Sequence, residues 1–139
     1  MFRFTLLSIL LGISSVLSGQ ASLKVSIILN KPDAGGVLRV ALSPDAHAYK
    51  SDVGCTLISV PATGRLVTAT FENVKIGTCA VKVFHDINSD NELNTSWIGW
   101  PKEPYGFSND APVNMGPPSY KLAMINVKEG ENPVRISLR

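Results

Sequence analysis

The sequence predicts an all-β protein: an antiparallel two-sheet sandwich of about seven strands, interrupted by one long ordered loop. Three observations predict it. Apolar and polar residues alternate with period two in segment after segment, while helical periodicity is nearly absent. Clusters of Gly, Pro, Asn and Asp bound each alternating run, as turns require. Each run has one apolar and one polar face, the pattern of a strand buried on one side only.

The first segment, MFRFTLLSILLGISSVLSGQA, stands outside this pattern. Arg3, the apolar run Phe4–Leu17 and the small residues after it follow the order of a secretory signal peptide. Cleavage is expected after Ala21, with a cut after Ser18 as the alternative. Residues 1–21 are therefore assigned to a leader and 22–139 to a single β-sandwich domain, periplasmic or secreted. The apolar run is too short for a retained membrane helix, so no transmembrane segment is expected once the leader is removed.

The strands follow in order. LKVSIILN puts Leu23, Val25, Ile27 and Leu29 on one face. GGVLRVALSP does the same with Leu38, Val40 and Leu42, opposite Arg39 and Ser43. CTLISVPA is shorter and ends at Pro61. RLVTATFENV aligns Val67, Ala69 and Phe71, and GTCAVKVFHD aligns Cys79, Val81 and Val83 opposite Lys82. YKLAMINVKEG aligns Ala123, Ile125 and Val127, and NPVRISLR aligns Val134, Ile136 and Leu138.

Two cysteines, Cys55 and Cys79, lie on or near the inward parity, and an isolated pair in an exported chain predicts a disulfide. Closing that loop would stabilise by roughly 3.5 kcal/mol on the chain-entropy model. Two buried free thiols are the alternative. Without Arg3 the chain has 12 basic and 11 acidic residues, which gives no electrostatic case for nucleic acid.

From Asn88 to Ser119 no strand is legible over about thirty residues. Loops of that length are functional or disordered. This one carries Trp97, Trp100, Tyr105, Phe107 and Met115, which should pack, and five prolines, which stiffen it. It opens on DINSDNELN, where Asp86, Asn88, Asp90 and Glu92 alternate as oxygen ligands do in a calcium loop. Asn91 stands where such a loop wants Gly, and Trp97 where it wants a bidentate carboxylate. A calcium ion would therefore bind at the weak extracellular end, roughly 10⁻⁴ to 10⁻³ M. The alternative is a polar turn in which Asp and Asn cap their own backbone.

His85, Trp97, Trp100, Glu103, Tyr105 and Phe107 are the candidate ligand-binding residues of the loop. His85 is either a site residue or hydrogen-bonded scaffolding. Glu103, among apolar neighbours, either faces a ligand or braces the loop by accepting backbone N–H bonds. Gly106 is expected to let the rings of Tyr105 and Phe107 turn to different neighbours.

The run FENVKIGTCAVKVFHDINSDNELNTSWIGWPKEPYGFSNDA, followed by GPPSY, resembles the motif of an uncharacterised exported bacterial family, domain of unknown function 2141. The likeness covers Phe71 to Tyr120. It implies a prealbumin-like or immunoglobulin-like sandwich, export from a Gram-negative cell and no assigned activity. Family members often carry Gly where this chain has Ser89 and Asn91, and Asp where it has Asn94.

These readings converge on an exported, non-catalytic binding or accessory module of the cell envelope, whose partner is an envelope protein or a glycan. A purely structural envelope protein is the alternative. A hydrolase would pair His85 with Asp86 or Glu103 and use Ser108 as nucleophile, but the chain has no G-x-S-x-G elbow and no second motif His.

Overall fold

A computed structural model describes residues 19–139. The strands are β1 (Ala21–Ile28), β2 (Val37–Ser43), β3 (Thr56–Pro61), β4 (Leu66–Val74), β5 (Gly77–Asp86), β6 (Tyr105–Phe107), β7 (Ile125–Val127) and β8 (Gly130–Ser137). Two short helices, α1 (Ala46–Ser51) and α2 (Tyr120–Ala123), and a 3₁₀ turn at Ser108–Asp110 complete the described residues. One sheet has the order β4-β1-β8; the other runs β3-β2-β5-β6, with β7 also on β5. The all-β sandwich expected from the alternation is therefore the fold. One pair departs from antiparallel: β1 and β8, far apart in sequence and free of any hairpin constraint, run parallel.

Alternation explains the layers. Leu23, Val25 and Ile27 of β1, Leu38 and Val40 of β2, Ala69 and Phe71 of β4, Val81 and Val83 of β5 and Ile136 of β8 form one buried cluster between the sheets. Truncating a large member to Ala would cost about 2–5 kcal/mol through lost transfer energy and the cavity left behind. A second, smaller cluster lies outside the five-stranded sheet, where Tyr49 of α1, Ala80, Phe107, Ala111 and Ala123 of α2 pack together.

Three sequence expectations change. YKLA is helical, and only Ile125–Val127 continues as a strand. Ala123 satisfies either period, so alternation over so short a run does not separate the two. The loop after Asn88 contains β6 and the 3₁₀ turn, bringing the strands to eight among the described residues. Third, Cys55 and Cys79 are free thiols. Cys79 belongs to the inner core, whereas the Cys55 thiol faces the α1 side, 3.3 Å from Ser43 Oγ and 3.4 Å from the Ala48 carbonyl. Strand β2 also lies between β3 and β5, which puts the two cysteines roughly 9–10 Å apart across the sheet and beyond disulfide reach.

Of the expected leader, residues 1–18 lie outside the described residues, and Ala21 is a buried, paired member of β1. Among the described residues no helix is long and apolar enough to cross a membrane.

Candidate binding groove

The outward faces of four strands meet in register. Ser59 of β3 pairs with Arg39 of β2, Arg39 with Phe84 of β5, and Phe84 with Tyr105 of β6. Two residues along, Leu57, Ala41, Lys82 and Phe107 form a parallel row. Because strand side chains alternate faces, both rows project from the sheet away from the core. They floor a groove of about 910 Å³, walled by Leu93, Ile98, Trp100 and Pro101 of the loop before β6 and by Val113, Met115 and Pro117 of the segment after the 3₁₀ turn.

The floor carries two cations, and each has an anion. Arg39 Nε donates to Asp86 Oδ2 at 2.9 Å and its Nη1 donates to Ser59 Oγ at 2.9 Å. Lys82 pairs with Asp52, donates to the Tyr49 carbonyl at 2.6 Å and sits 4.9 Å from the Tyr49 ring centre. Burial pushes the Tyr49 phenol up to about 12, so it stays neutral beside Lys82. The groove is thus predominantly apolar, with no unpaired charge on its floor.

The run after β5 braces this wall. Asp86 is fully buried; besides Arg39 it accepts the backbone N–H of Asp90 at 3.1 Å and of Asn91 at 2.9 Å. Asp90 accepts Asn88 Nδ2 at 3.0 Å, Asn94 Nδ2 at 2.9 Å and the Glu92 N–H at 2.9 Å. The Asn94 amide, then the Glu92 N–H, holds the Asp90 carboxyl below its ordinary value. Every one of these contacts is an N–H donor, the chemistry of a capped turn. Among the described residues, no three of His, Cys, Asp and Glu come together as a group that could hold a metal ion, and Asn88, the amide of the expected calcium set, turns its Nδ2 to Asp90. Ser89 and Asn91 adopt φ of 58° and 66°, the left-handed region that Gly occupies most easily.

Glu103 is the second brace. It is buried, and its oxygens accept the Ile87 N–H at 3.0 Å and the Asn94 N–H at 3.1 Å. Beyond it, Thr95 and Pro101 pair in a small hairpin closed by Lys102 N–H to the Asn94 carbonyl at 2.7 Å. Gly106 matters for close approach: a Cβ there would lie 2.6 Å from Ile136 Cγ2 of the opposite sheet. That replaces the expectation that it frees two rings to turn. The strand it sits in stitches the sheets, Tyr105 exchanging backbone bonds of 3.1 and 3.0 Å with Arg139.

The sequence-predicted residues divide. Trp100, Tyr105 and Phe107 line the groove. Glu103 supports it from behind. Trp97 does not pack at all; it is 97% exposed at the hairpin tip. His85 is fully buried on the core side, its Nε2–H donating to the Gly35 carbonyl at 2.6 Å while Nδ1 has no partner. Ser108 is equally buried; its hydroxyl donates to the Ala123 carbonyl and accepts the Val81 N–H at 2.9 Å. Neither His85 nor Ser108 lines the groove.

Sequence patterning does not single out Arg39, Leu57, Phe84 or Lys82. One signal was available: Phe84 is a large aromatic on the outward parity of β5, where a solvated face would carry a polar residue.

A family model described as "Uncharacterized protein conserved in bacteria (DUF2141)" matches residues 27–135. No curated protein and no solved structure matches the chain.

Proposed function

The chain belongs to that uncharacterised bacterial family, DUF2141, and from this premise we propose that it is an exported, non-catalytic binding module of the cell envelope. Its ligand lies along the groove over Arg39, Phe84 and Tyr105. The observation that carries this reading is an apolar groove of about 910 Å³ on a sheet face whose two cations are already paired. Pockets of that size with few convergent polar groups are the usual binding sites of small domains.

The pairing of Arg39 with Asp86 and of Lys82 with Asp52 weakens the attraction for an anionic ligand. Apolar lining such as Leu57 on the floor and Val113 and Met115 on the wall suits an apolar peptide better than a sugar, which asks for more donors and acceptors. The partner is therefore an uncharged, apolar segment of another envelope protein. Hydrolysis finds no support in buried side chains such as His85 and Ser108.

The test is affinity capture from native envelope with the wild-type chain, Phe84→Ala and Trp100→Ala, followed by binding of synthetic peptides from the captured protein. Both variants should lose peptide binding by at least tenfold, about 1.4 kcal/mol, with unchanged melting temperatures. Equal binding by all three would reject the groove, and capture of an oligosaccharide in place of a polypeptide would reject the partner class.

A further inference from the structure

The tip of the hairpin differs in kind from the groove beside it. Residues 93–101, LNTSWIGWP, contain no charged side chain. Trp97 and Ile98 are the two central residues of the turn, since the Gly99 N–H bonds back to the Ser96 carbonyl at 2.9 Å. They are 97% and 58% exposed, and Trp100 beside them is 53% exposed. An indole with almost no protein contact is no preorganised stacking platform, because nothing holds its ring for a specific partner. It can still enter a medium that demands no fixed geometry.

The backbone of the tip is suited to that. The N–H of Ser96 bonds to the Trp100 carbonyl at 2.7 Å, and the N–H of Trp100 bonds to Ser96 Oγ at 3.2 Å. The N–H groups of Ser96, Gly99 and Trp100, bonded within the tip, do not have to be stripped of water when it leaves bulk solvent, and shallow insertion leaves those of Trp97 and Ile98 at the wet head-group level. Tryptophan favours the head-group level of a bilayer, where its ring is in apolar surroundings and its N–H remains wet.

We propose that the Trp97–Ile98 tip inserts into the interface of a phospholipid bilayer and seats the domain on a membrane surface. The insertion is shallow, reversible and driven by apolar burial. The tip carries no charge, so binding does not require anionic lipid and does not weaken with salt. This contact is independent of the groove's ligand.

The chain has two tryptophans, Trp97 and Trp100, and both belong to this hairpin, so its tryptophan emission reports on the hairpin alone. The experiment adds phosphatidylcholine vesicles to the whole domain. Emission is expected to move to shorter wavelength and to be quenched by lipids brominated near the head group, equally at low and high salt. Trp97→Ala should lower co-sedimentation with the vesicles about tenfold without changing the melting temperature, and Trp97→Phe should retain part of it. Unchanged emission at saturating vesicle, equal co-sedimentation of Trp97→Ala, or binding confined to anionic vesicles and abolished by salt would each overturn the proposal. Loss of groove binding in Trp100→Ala with vesicle binding intact would separate the two sites.

Discussion

Glu103 shows how one side chain holds the binding wall. Its two oxygens serve two backbone donors sixteen and nine residues away, Ile87 and Asn94. Glu103→Ala leaves both partly buried donors without an acceptor and should cost about 2–4 kcal/mol in urea unfolding, with Glu103→Gln losing roughly half as much. A loss under about 0.5 kcal/mol for the alanine variant would show that the bonds do not hold the wall. Sequence reasoning left Glu103 open between brace and ligand contact, because burial among apolar neighbours fits either; only the positions of Ile87 and Asn94 decide. Cys79 carries a second residue-scale prediction. Burial pushes its thiol from 9.0 up to about 11, so the folded state favours the neutral form. Stability from this group is complete below pH 9 and is lost as pH rises through about 11. Cys79→Ala should flatten that alkaline decline in a denaturation series. Tyr49, shifted in the same direction to about 12, should leave a residual slope.

At the scale of elements, the turn after β5 sets the register of the whole wall. Two of its residues, Ser89 and Asn91, hold left-handed backbone on side chains that tolerate it imperfectly. Ser89→Gly should therefore stabilise by about 0.5 kcal/mol, the relief of left-handed strain less the extra entropy of the unfolded glycine. A lower melting temperature in that variant would contradict the account of the turn. The same scale shows what a sequence conveys. Strand faces were legible because alternation is local: Leu23, Val40, Phe71 and Ile136 all point where their parity says. The pairing Arg39–Phe84–Tyr105 was not, since register between β2, β5 and β6 depends on contacts more than twenty residues apart. The disulfide expectation failed at this scale too. Cys55 shares the outward parity of Leu57 and Ser59, and an apolar residue at position 57 blurs which face of β3 is buried.

At the scale of the molecule, the inner core lies between the sheets while the groove occupies the outer face of one of them. The frame is held by packing without a covalent pin, so reductant should leave the melting temperature unchanged. Phe84, Leu57 and Trp100 can remain accessible because α1 and α2 cover only the far end of that face, where Tyr49, Phe107 and Ala123 pack. Core and groove therefore draw on opposite parities of the same strands, and for that reason a groove substitution should change binding and spare stability. The most direct test of this arrangement places a photo-crosslinking residue at Leu57, 74% exposed on the groove floor, or at Leu66, 62% exposed at the edge of the other sheet. Irradiation in native envelope should give a discrete polypeptide adduct from position 57 and none from 66. Identical adducts from both positions, or an adduct from 66 alone, would contradict a binding face on the five-stranded sheet.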